Sequence, residues 1–200
     1  FEGALFDKLI ESLPFKPTNA QSKAIAEIFK DLRASYPMHR LLQGDVGSGK
    51  TLVAIAALLS VVEGGKQGSI MAPTEVLAEQ HFVSVKELLS DFVLSDSSNL
   101  LGERKLNISL LTSQTSDKDA KEIRSKLGRG EIDIIVGTHS LIQESVEFAD
   151  IGLAVVDEQH RFGVDQRAAL QNKGNSRAIP DLLVMTATPI PRTAAMTVYG

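Results

Sequence analysis

The chain contains no cysteine, which excludes a disulfide-stapled scaffold and any zinc site built on thiolates. No run approaches the roughly 18 apolar residues that a membrane span needs. The longest, Leu52 to Val62, is one helix in length. A secretory leader, with its basic start, apolar middle and small-residue cleavage site, is likewise missing, so a cytoplasmic location is the expectation. The sequence begins at Phe1 and not at methionine, and further residues are expected upstream. Basic charge is not in excess either, the formal net charge being −4. By itself that balance speaks against a phosphate-binding surface, which ordinarily shows as surplus Lys and Arg. With 43% hydrophobic and 23% charged residues over 200 positions, what remains is one ordinary globular domain.

What is present is an alternation. Short apolar or β-branched runs at 40–43, 69–72, 108–111, 132–136, 153–156 and 182–185 read as strands. Several are continuously apolar, the pattern of a strand covered on both faces. Helical patterns fall between them at 20–34, 50–62, 76–89, 117–126, 165–171 and 192–198. This order predicts βαβ units, a mostly parallel central sheet and helices on both faces, a three-layer α/β domain. Two stretches break the rhythm. Residues 91–104, rich in Ser, Asp and Asn, read as a surface loop or insertion, and 173–180 as an exposed connection. Residues 1–13 are amphipathic and are expected to pack on this domain or a neighbouring one.

Gly44-Asp45-Val46-Gly47-Ser48-Gly49-Lys50-Thr51 fits the P-loop pattern G-x-x-x-x-G-K-S/T, and it stands where that pattern belongs, between an apolar strand and a helix-forming run. Its glycines permit the backbone torsions that turn successive N–H groups inward around a phosphate. The following helix aims the positive end of its dipole at the same anion. Lys50 is predicted to reach the β- and γ-phosphates of ATP, and the Thr51 hydroxyl to serve as a ligand of Mg²⁺. A glycine turn that matches by chance is the bland alternative, and the correct flanks make it rare.

About a hundred residues later, the apolar run Leu153 to Val156 leads into Asp157-Glu158-Gln159-His160. Acids at the end of such a strand lie at the carboxyl edge of the sheet, where open α/β folds bind ligands. Phosphoryl transfer to water needs one carboxylate in the magnesium shell and another group to orient or deprotonate the water. Asp157 suits the first role and Glu158 the second. A guanine-specific switch is disfavoured, because Asn172-Lys173-Gly174-Asn175 lacks the aspartate that would pair with guanine.

Asp157-Glu158-Gln159-His160 resembles the DExH box of superfamily 2 helicases and translocases, and other segments resemble that family's motifs in the family's order. Thr186-Ala187-Thr188 matches the motif that couples nucleotide state to nucleic-acid binding, and Gln159 and His160 would share in that coupling. Pro73-Thr74-Glu75 and Gly137-Thr138-His139 match motifs that line the nucleic-acid track. Gln21, with Phe15 and Thr18 upstream, matches the region that recognises adenine. An amide can pair with the adenine edge and an aromatic ring can stack on the base. Each short motif alone is an unremarkable strand end, turn or helix position; order and spacing carry the resemblance.

The longer strings Met38 to Thr51, Met71 to His81, Asp157 to Val164 and Met185 to Thr193 resemble branch-migrating DNA helicases. Transcription-repair coupling factors share several of these elements but usually carry a second glutamate where Gln159 stands. The usual Thr-Gly pair appears here as Thr112-Ser113, which weakens any nucleic-acid contact carried over to Thr112. The resemblance implies a RecA-like lobe of the P-loop NTPase class. It also implies ATP and Mg²⁺ as ligands, branched or double-stranded DNA as partner, and a second RecA-like lobe and an N-terminal wedge domain beyond these 200 residues.

Overall fold

The structure, a computed structural model, describes residues 3–45, 47–96, 100–157, 169 and 179–187. Six strands form one parallel sheet in the order β1 (His39–Gln43), β8 (Asp181–Thr186), β7 (Ile151–Asp157), β2 (Gln67–Met71), β6 (Ile134–Gly137) and β5 (Ile108–Leu111). The expected three-layer α/β architecture follows from the side-chain alternation of these strands. Leu153, Val155, Leu183, Met185, Ile134 and Val136 enter one apolar cluster, while their neighbours Ala154, Val156, Leu182, Val184 and Ile135 enter another. A parallel sheet whose inner strands carry apolar residues on both faces has to be covered on both sides.

The first cluster is closed by α1 (Ala4–Ser12), α2 (Asn19–Leu32), α3 (Lys50–Glu63) and α4 (Glu75–Leu89). Helix α3 is apolar around most of its circumference, with nine buried residues, so the sheet alone cannot cover it. Helices α1 and α2 cover the rest. The amphipathic N-terminal segment thus packs on this domain, through Leu5 and Leu9. The second cluster is closed by α5 (Asp117–Gly128), by the 3₁₀ turn His139–Ile142, and by Val146 and Phe148.

Local chemistry starts the helices. Thr18 and Gln21 make a reciprocal capping box on α2, Thr74 accepts from the Leu77 N–H at the start of α4, and Ser116 accepts from Asp119 at α5. Each such cap contributes about 1 kcal/mol. Helices α1 and α3 have no capping side chain, and α3 begins at Gly49 with φ +80°.

The segment 91–104 departs from the expected loop. It holds an antiparallel hairpin, β3 (Val93–Ser95) with β4 (Glu103–Lys105), and Phe92 just before it is buried. The strands are only three residues each and their apolar residues few, which hides the pattern in the sequence. Apart from residue 169, the helices expected at 165–171 and 192–198 lie outside the described residues, as does the connection 173–178.

Candidate nucleotide and nucleic-acid site

Because every strand of the main sheet runs the same way, all their carboxyl ends meet one edge, and nearly every predicted site residue that is described lies on it. The P-loop leaves β1 there. The Gly44 N–H donates to the Thr186 carbonyl at 3.2 Å, which ties the loop's first residue to the end of β8. Ser48 N–H donates to Asp45 O at 3.1 Å, closing a turn, and both Gly47 and Gly49 stand at φ +80°. That left-handed torsion disfavours any side chain, and at Gly49 a Cβ would also meet the Gln21 amide at 2.1 Å. Val46 is outside the described residues.

Lys50 opens α3, and its Nζ donates to the carbonyls of Gly44 at 2.6 Å and Asp45 at 2.9 Å. The ammonium is therefore folded over its own loop, beside the uncapped N–H groups of the helix. Backbone donors, a helix N-terminus and one cation at the same place make an anion cradle. Thr51 follows in the first turn of α3.

Gln21 reaches the loop from α2. Its Oε1 accepts from Thr18 N–H at 2.8 Å, and its Nε2 donates to the Ser48 carbonyl at 3.1 Å. The predicted adenine-reading amide is thus placed against the P-loop and holds both a helix cap and the loop. Phe15 lies upstream of α2 and is 59% exposed.

Asp157 ends β7 and pairs in register with Met185 of β8, while Thr186 pairs with Gln43 of β1. One strand lies between Asp157 and the start of the P-loop, a spacing of about 10 Å across the sheet. That gap suits a nucleotide's phosphates with a cation between them. The oxygen donors available, a hydroxyl at Thr51 and a carboxylate at Asp157, fit Mg²⁺, which takes one or two protein oxygens and completes its shell from phosphates and water. Among the described residues no cluster of three or more His, Asp or Glu side chains forms a denser metal cage. Asp157 Oδ2 lies 2.6 Å from Nε2 of His81, on the second turn of α4, with the side chains 16% and 12% exposed. His81 ends one of the family-like strings, but nothing in the sequence gives it a role at the site. Its partner is 76 positions away, and only the packing of α4 over the sheet brings them together. Glu158, Gln159, His160 and Thr188 lie outside the described residues; Thr186 is buried at the end of β8, with Ala187 after it.

The other half of the edge collects the residues expected to meet nucleic acid. β2 ends in Met71, and Ala72 N–H donates to Gly137 O at 2.8 Å, fixing Pro73 and Thr74 beside the end of β6. Gly137 has a packing reason of its own, since a Cβ there would come within 2.3 Å of the Leu111 carbonyl. Thr138 is buried and its hydroxyl is 3.1 Å from that of Ser140, while His139 is exposed at the head of the 3₁₀ turn. Thr112 is buried, and its hydroxyl accepts from Gln114 N–H at 3.3 Å, so this side chain is turned onto its own loop. The hydroxyl of its neighbour Ser113 donates to the Glu75 carboxylate, linking the loops after β5 and β2.

Comparison with known proteins gives a consistent picture. A family model described as DEAD/DEAH box helicase matches residues 18–197. The chain is 52% identical over 193 residues to the ATP-dependent DNA helicase RecG of Bacillus subtilis (strain 168), covering 96% of this chain and 26% of that protein. It is 50% identical over 198 residues to RecG of Synechocystis sp., covering 99% of this chain and 22% of that one. Among solved structures, RecG bound to a three-way DNA junction superposes with a TM-score of 0.81 at 46% identity, over 100% of this chain and 25% of the other. The chain thus spans about a quarter of the length of the relatives it matches.

Proposed function

The chain belongs to the DEAD/DEAH box helicase family, and from that premise we propose that it is the ATP-binding motor lobe of a RecG-like, ATP-dependent DNA helicase acting on branched DNA. The observation that carries this reading is the shared edge. The P-loop at the end of β1 and Asp157 at the end of β7 stand one strand apart, with Thr186 between them. The choice of branched DNA, as at forks and four-way junctions in repair and recombination, rests on the identity of about 50% to RecG proteins and on the relative bound to a three-way junction.

In this reading the N–H groups of Gly44 to Thr51 and the Lys50 ammonium hold the β- and γ-phosphates, with Lys50 exchanging its two carbonyl partners for phosphate oxygens. Gln21 and Phe15 meet the adenine. Thr51 and Asp157 hold Mg²⁺, which when bound neutralises charge developing on the phosphates. Glu158 orients a water and takes its proton as the water oxygen bonds to the γ-phosphorus. The bond from that phosphorus to the bridging oxygen breaks, and ADP leaves with the electron pair. Gln159, His160 and Thr186 to Thr188 carry the change of state toward Pro73, Thr74, Gly137, Thr138 and His139, which meet DNA. A second RecA-like lobe in the same protein completes the site with arginine side chains.

The test is ATPase activity of the full-length protein on forked DNA, with and without Lys50→Ala. Loss of the DNA-stimulated rate is expected; stimulation equal to that of the parent would remove the P-loop assignment.

A further inference from the structure

The hydrogen bond between His81 and Asp157 has no place in the hydrolytic steps above. The two side chains are largely enclosed, and the contact joins the second turn of α4 to the last residue of β7. An ionised carboxylate can only accept, so the imidazole Nε2–H is the donor. The bond occupies Oδ2 and leaves Oδ1 for a metal shell. A carboxylate at a strand end turns about two bonds, and a magnesium ligand has to be held in one setting. Hydrogen-bonded groups behind a ligand commonly supply that hold.

We propose that His81 is a positioning residue for the nucleotide-bound magnesium ion, fixing the Asp157 carboxylate in its metal-binding orientation. The same helix is capped by Thr74, so the imidazole also ties this carboxylate to the element that opens on the proposed DNA track. The inference rests on Asp157 being the magnesium carboxylate.

The experiment uses the full-length protein and a fluorescent ATP analogue, whose affinity is measured in magnesium chloride and again in EDTA. The ratio of the two isolates the magnesium-dependent part of binding. In His81→Leu, which has no donor, the ratio is expected to fall on the order of tenfold, with the affinity in EDTA unchanged. In His81→Gln, whose amide N–H can replace the imidazole's, most of the ratio is expected to return. A wild-type ratio in His81→Leu overturns the proposal, and so does an equal loss in both variants. An affinity lost equally in EDTA and in magnesium overturns it too, because that marks damage to the fold. Asp157→Asn separates the two levels. If it leaves the ratio at the wild-type value, the magnesium role of Asp157 itself fails. If it abolishes the ratio while His81→Leu does not, only the role of His81 falls.

Discussion

Asp181 shows how a single side chain can be held at a cost. It opens β8 partly buried, and its Oδ1 accepts from the Met38 N–H at 2.6 Å. Burial pushes its carboxyl above the ordinary carboxylate range, with a smaller push from Asp31, and outweighs the Met38 hydrogen bond and the nearby Lys66 and His39 side chains, which pull it down. The folded protein therefore binds this proton more tightly than the unfolded chain. Stability from this group is fullest below its ordinary value near 3.8 and is lost as pH rises through the raised folded value. Asp181→Asn keeps an acceptor for Met38 and removes the charge. The variant should melt at or above the parent's temperature at pH 7, with the advantage vanishing as pH falls toward 4. A variant that melts lower at pH 7 but not at pH 4 would contradict this.

Gly137 raises a different question at the same scale. Its close approach to the Leu111 carbonyl leaves no room for a Cβ. Gly137→Ala should cost about 1–3 kcal/mol in denaturant unfolding through a forced backbone shift. An unchanged midpoint would show that the two strands can part freely. The exposed His139 is the cleaner probe of DNA contact. The P-loop and the Asp157 acids are legible as strings because their chemistry demands fixed local spacing. His81 is not, because its meaning depends on a helix crossing the sheet.

At the scale of elements, alternating apolar runs and helical patterns locate the strands and helices of the main sheet to within two residues. The main errors have one cause: residues whose burial depends on partners distant in sequence. β2 begins at Gln67, a polar residue that apolar patterning omits. The structure buries it fully satisfied, with Nε2 donating to Leu127 O at 3.0 Å and Ile132 O at 2.8 Å, and Oε1 accepting from Asp150 N–H at 3.0 Å. One amide thereby joins the end of α5, the approach to β6 and the approach to β7. Gln67→Ala should destabilise the lobe by about 3 kcal/mol, since three hydrogen bonds at ~1 kcal/mol each are lost. A midpoint in denaturant within experimental error of the parent would mean that water replaces the amide at no cost. The hairpin β3–β4 escapes sequence patterning for a related reason, as Phe92 gives its anchor and the strands themselves are only three residues each. Strand order has no local signature at all. β8, the last of the described strands, is inserted between β1 and β7 and so sets the spacing of the proposed phosphate site.

Across the whole molecule, the order β1-β8-β7-β2-β6-β5 puts the proposed nucleotide residues on one half of the carboxyl edge and the proposed nucleic-acid residues on the other, with α4 reaching both through Thr74 and His81. The proposed catalytic arginines belong to a second lobe, and such a residue is worth about 10³ to 10⁵ in rate. These 200 residues alone should therefore bind ATP weakly and turn it over very slowly, and robust DNA-stimulated hydrolysis by them would contradict the two-lobe reading. The net charge of −4 bears on the same division of labour. The residues proposed to meet DNA are Pro73, Thr74, Gly137, Thr138 and His139, with no Lys or Arg among them. Contacts of that kind orient a nucleic acid without releasing many counterions. The logarithm of affinity falls with the logarithm of salt by about 0.9 for each phosphate neutralised on duplex DNA. A shallow slope is then expected for this lobe and a much steeper one for the full-length protein, whose additional domains would supply the cationic grip. Fluorescence anisotropy of a labelled fork, titrated from low to physiological salt with each protein, measures both slopes. Parallel lines would place the electrostatic grip on this lobe after all, on basic residues outside the edge described above.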